Sequence, residues 1–164
     1  MLLNLILIPL IIGLTLLISP IKLKNISRII FIVTIAYSLY IIAKLYNSFD
    51  LIQVLSLNTF SIESLDASFV LKNTRIGWLF LIFSNIVTLL LSLVSFSYEK
   101  LKKNFSNVPL WFLLLAANIA IFLAGDYIVL FIFWELMSIA SYFMIFNGKG
   151  KSYSSTIYYF VLSA

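Results

Sequence analysis

Five apolar stretches, each close to the length that crosses a bilayer, leave this chain almost no choice of fold. They run approximately over 2–19, 26–46, 76–97, 108–124 and 127–146. About 20 apolar residues of helix match a ~30 Å hydrocarbon core. Within lipid every backbone N–H and C=O must be satisfied inside its own segment or barrel, so stretches of this length are read as helices. The expectation is an all-α integral membrane bundle forming one membrane domain over 1–164, with five full transmembrane helices and the start of a sixth. The first stretch has no basic leader and no small-residue cleavage site, and a second stretch follows closely. It is therefore read as a permanent helix rather than a signal peptide, with Pro9 and Gly13 tolerated inside it.

Composition agrees and narrows the chemistry. Hydrophobic residues make up 63% of the chain and charged residues 10%, far from soluble usage. There is no Cys and no His, so disulfides, iron–sulfur ligation and the usual neutral-pH proton shuttle are unavailable to this chain. The net charge of +5 is spread over short connections rather than gathered on one face, which argues against a nucleic-acid partner. Lys22, Lys24 and Arg28 lie between the first two stretches, Lys100, Lys102 and Lys103 between the third and fourth, and Lys149 and Lys151 after the fifth. If the helices alternate, these connections share one side. The positive-inside rule makes that side cytoplasmic. The reading is a multi-pass protein of the cell membrane with its amino terminus extracytoplasmic.

The connection from 47 to 75 differs in character. "LIQVLSLNTFSIESLDASFVL" alternates apolar and polar residues around an Asn-Thr, as a small extracytoplasmic hairpin between helices 2 and 3 would. Its acids Asp50, Glu63 and Asp66 read as solvated surface. Lys44, Lys72 and Arg75 suit interfacial snorkelling at helix ends. After Lys151, "SYSSTIYYFVLSA" begins a sixth apolar segment, but 13 residues give only ~20 Å of helix. The expectation is a unit completed by another chain or by further sequence.

One ionisable residue lies within the fifth stretch. Glu135, counted from Asp126, sits ~14 Å deep, where a charge costs about 2.5–3.5 kcal/mol on insertion scales. Such residues face a bundle interior or a watered path, and a carboxyl there can take up and release a proton without any His. Ser138 and Tyr142 follow at i+3 and i+7 on the same helical face, with Ser141 near, and can hold the carboxyl or the waters that serve it. The competing reading makes Glu135 a neutral hydrogen-bonding glue between helices. Trp134 is assigned to a helix interface. In the third stretch Ser84, Thr88 and Ser92, beside Asn85, form a row that either packs helices closely or lines a hydrated path. Asn118 is equally open. Asp126 either caps the fifth helix or gates an outer opening, the cap being favoured. Phosphate loops, nucleophile elbows and metal-ligand spacings are missing.

"DYIVLFIFWELMSIASYFMI" closely resembles the glutamate-bearing fifth helix of the antiporter-like subunits shared by respiratory complex I, energy-converting membrane-bound hydrogenases and multisubunit cation/proton antiporters. W-E-L followed by S-Y and an apolar tail is the specific part. "IESLDASFVL", "SFSY" and "YYFVLSA" resemble the segments before, at the end of, and after the matching helices of that family. The likeness covers nearly the whole chain but roughly the first third of a usual family member. It implies that Glu135 is the helix-five glutamate whose proton affinity a lysine on a later helix modulates. No mid-membrane lysine here can serve, because Lys149 and Lys151 fall in a connection. The resemblance therefore implies half of a proton or sodium channel, with the lysine-bearing helices supplied by another membrane subunit of a large hetero-oligomer in the bilayer. It implies no cofactor and no catalytic centre in this chain, with iron–sulfur clusters or other redox centres on partner chains of a quinone-reductase or hydrogenase type of complex. A subunit of a cation/proton antiporter without redox chemistry, and a non-conducting structural subunit, are the alternatives.

Overall fold

In the computed structural model, residues 1–18, 24–49, 51–56, 68–101, 107–147, 157, 158 and 161 are described. Five helices, α1 (Leu2–Ile18), α2 (Lys24–Leu45), α3 (Arg75–Leu101), α4 (Val108–Phe122) and α5 (Tyr127–Asn147), are joined by a two-stranded antiparallel pair, β1 (Ile52–Ser56) and β2 (Ser68–Lys72). The helices follow the apolar stretches closely. Among the described residues no backbone–backbone hydrogen bond joins one helix to another, in keeping with helices that satisfy their own backbone groups. Lys24 and Arg28 belong to α2, and Lys100 to α3, rather than to the connections between helices. The acids Asp50, Glu63 and Asp66, the Asn-Thr turn and Lys22, Lys102, Lys103, Lys149 and Lys151 lie outside the described residues, as does nearly all of the sixth segment.

Length separates the helices. α2, α3 and α5 are long and apolar enough to cross a membrane. α1 and α4, with 17 and 15 residues, are shorter apolar helices, equivalent to about 26 and 22 Å against a ~30 Å core. Five full spans thus become three of spanning length and two shorter ones. The cause at α4 is local: Pro109 fixes its first turn, and the Gly125-Asp126 turn follows its last.

α4 is the hub. It is apolar on every side and buries Leu110, Trp111, Phe112, Leu113, Leu115, Ala116 and Ile119, the pattern of a helix enclosed by others. α1, α3 and α5 pack around it, and α2 closes against α3. Phe31 of α2 meets Phe112 and Phe96 edge-on, with centroids 4.9 and 5.9 Å apart. The α2–α3 seam is polar. Ser38 Oγ lies 2.6 Å from Asn85 Oδ1 and 2.8 Å from Ile35 O, so its hydrogen serves one of them at a time. Asn85 Nδ2 donates to Leu81 O and Ser92 Oγ to Leu89 O, each at 2.8 Å. Thr34, Ser38, Asn85, Thr88 and Ser92 are all buried. The row in α3 therefore packs a helix pair and returns its bonds to nearby carbonyls. Ser38→Ala should weaken this pairing by about 0.6 kcal/mol, and at most about 1.7. Unfolding by a graded denaturing detergent measures it, and an unchanged midpoint would count against the seam as helix glue.

At one end the strands gather the helix termini. Leu3 N donates to Gln53 Oε1 (3.3 Å), Asn73 Nδ2 to Leu45 O and Ser48 O (3.0 Å each), Asn73 N to Leu51 O (3.1 Å) and Lys72 N to Leu123 O (2.8 Å). The starts of α1, α3 and α5 and the ends of α2 and α4 thereby meet at β1 and β2, so the five helices alternate in direction.

Candidate functional site

Glu135 stands eight residues past Tyr127 in a 21-residue helix, ~12 Å along a helix of ~30 Å. α5 packs mainly against α4, through Val129, Phe133, Ala140 and Met144. At ~100° per residue, Glu135 lies about 120–140° around the helix from Val129 and Ala140. Its half-buried carboxyl is thus turned away from α4, and it makes no hydrogen bond or ion pair among the described residues. α4 could offer it no ion pair, having no ionisable side chain.

Ser138 and Tyr142 share the Glu135 face. Ser138 is 2% exposed. The Tyr142 ring lies over Phe146 (6.0 Å, 17°) and meets Phe143 at an angle (5.3 Å, 75°). Ser141 is half-buried and ~120° away around the helix, on a flank rather than on the carboxyl's face. Trp134 is 45% exposed, on a different side of α5 from the Val129 and Ala140 face that meets α4. Asn118 is half-buried on α4.

Three basic groups lie over aromatic rings of α2, α3 and the residues after α2. Lys44 Nζ lies 4.7 Å from the Tyr40 ring centroid, Arg75 5.7 Å from that of Phe49 and Arg28 5.5 Å from that of Phe96. Lys72, expected at the head of the third helix, belongs to β2, and Arg75 opens α3. Among the described residues no group of acids could hold a metal ion.

Asp126 caps α5: its Oδ1 accepts from Val129 N at 2.7 Å, satisfying a first-turn N–H. Its Oδ2 accepts from Val70 N at 2.6 Å. The second bond, the Asn73 anchor and the Ser38 partner of Asn85 were not visible in the sequence. The only signal was the placing of a short polar residue beside an apolar run.

Neither any protein-family model nor any curated protein sequence matches the chain. Solved structures do. A chain in the structure of the membrane-bound sulfane sulfur reductase, an archaeal respiratory membrane complex, is similar over 96% of this chain, with a TM-score of 0.73 and 30% sequence identity. This chain spans 24% of that chain's length. The shared part includes the helical membrane architecture described above.

Proposed function

We propose that this chain is a membrane subunit of a redox-driven respiratory complex, and that Glu135 relays the proton or sodium ion that such a complex moves. The observation that carries the proposal is the 30% identity to a chain of an archaeal respiratory membrane complex, extending over 96% of this chain. The iron–sulfur centres of such a complex are held by partner chains, since these 164 residues contain no Cys or His with which to ligate them. The chain's part is ionic. Glu135 is mid-helix, turned from α4 and half-buried, so its counter-charge comes from a neighbouring helix outside the described residues. By the positive-inside rule, the basic residues in and around the sequence between α1 and α2, between α3 and α4 and after α5 place the amino terminus on the extracytoplasmic side.

The experiment is affinity isolation of the tagged chain from its own membranes in a mild detergent. The expected result is a complex containing further multi-helix membrane subunits and at least one iron–sulfur or other redox protein. Isolation with membrane subunits alone would replace this reading with the antiporter one.

A further inference from the structure

We infer that Asp126 is a positioning residue for Glu135: by bonding α5 and β2 together, it sets where along and around the helix axis the Glu135 carboxyl stands. This rests on the relay reading above. Among the described residues α5 packs chiefly against α4 and also touches β2. The α4 contact is made by apolar side chains, whose non-directional burial adds no polar tie that fixes α5 along and around its axis. The β2 contact supplies direction. Asp126 spends one oxygen on the first turn of α5 (Val129 N, 2.7 Å) and the other on the strand (Val70 N, 2.6 Å). Both bonds are charge-assisted, and a carboxylate with two fixed backbone donors cannot rotate without losing one.

The neighbouring backbone strengthens the lock. Gly125 N donates to Val70 O at 2.7 Å, and Leu71 bridges Ala124. A Cβ on Gly125 would lie 2.7 Å from Val70 Cγ1 and 2.9 Å from Val70 O, so only glycine permits this approach. Residues 70 and 72 turn their backbone groups toward 123–126, leaving those of 69 and 71 for β1. Glu135 is nine residues beyond Asp126, two and a half helical turns, and the intervening helix transmits a displacement rigidly. Among the described residues the elements that pack against α5 carry few ionisable groups: none on α4 and Lys72 on β2, besides Tyr127 and Tyr142 on α5 itself. A moved Glu135 therefore changes its surroundings mainly relative to the neighbouring subunit.

The test uses the assembled complex. Asp126→Ser keeps a capping oxygen for Val129 N but is too short to reach Val70. Val70→Pro removes the strand's donor and leaves Asp126 intact. The readout is the infrared carboxyl band that disappears in Glu135→Gln, followed as a function of pH. Both variants should assemble and move the midpoint of that band by about one pH unit, a tenfold change in proton affinity. An unmoved midpoint in both overturns the positioning role, and loss of assembly in both assigns Asp126 to folding instead. If Glu135→Gln spares ion transport while the midpoint still moves, the relay reading fails and the positioning one stands. A Glu135 that never titrates overturns both.

Discussion

Replacing Glu135 with Gln is expected to leave the complex assembled and to lower coupled ion transport on the order of a hundredfold, the scale lost with a positioned proton-transfer group. Glutamine has nearly the same volume and can accept and donate hydrogen bonds, but it cannot give up or take on a proton in this range. The two halves of the expectation come from different observations. Assembly should survive because Glu135 makes no bond among the described residues and faces away from α4, so nothing in this chain's own packing depends on its charge. Transport should fail because a carboxyl in mid-helix costs several kcal/mol to keep unless a path or counter-charge uses it. The measurement is ion uptake into vesicles containing the complex, driven by the electron donor, with subunit content checked on the same sample. Full transport at normal subunit content would leave Glu135 as helix glue and return the chain to a structural role. Ser138→Ala and Tyr142→Phe should have smaller effects, since these hydroxyls can only support the carboxyl or its waters.

How much of this was legible beforehand depends on the range of the interaction. The apolar stretches place α5 at Tyr127–Asn147 and α4 at Val108–Phe122 to within a few residues, because bilayer crossing is a property of each segment by itself. Glu135, Ser138 and Tyr142 share a face for the same reason, helical geometry being local. Which face of α5 meets α4 was not legible. The helix is apolar all round, so Trp134 looked as fit for an interface as Phe133, and only the packing of α4 distinguishes them. The polar ties are longer in range still. Asp126 and Val70 are 56 residues apart, and Ser38 and Asn85 are 47 apart, with one partner of the first pair a backbone N–H that no residue type reveals. Lys72 read as a helix-end residue because strand pairing, not its own sequence neighbourhood, draws it into β2.

Gly77→Ala is expected to destabilise the bundle by about 1–3 kcal/mol, the cost of adding a methyl to packed surroundings that cannot yield. The residue lies in the first turn of α3, where its N–H donates to Thr74 Oγ1 at 3.0 Å. A Cβ there would stand 2.6 Å from Phe122 O and 2.9 Å from Thr74 Oγ1. The nearer atom is a backbone oxygen, which no rotamer change can move. Relief therefore requires shifting the end of α4, and that end is held from both directions. Leu123 O accepts from Lys72 N at 2.8 Å, Gly125 N donates to Val70 O at 2.7 Å, and Phe80 stacks on Phe122 with centroids 5.4 Å apart and rings 10° from parallel. Yielding at Phe122 would strain the turn that carries Asp126, so the same substitution should also disturb the start of α5. Stability is read from the denaturing-detergent midpoint of the purified chain, and Glu135 from its infrared band in the complex. Normal stability in Gly77→Ala would mean that the end of α4 yields easily, and with it the rigid seat on which the setting of α5 depends.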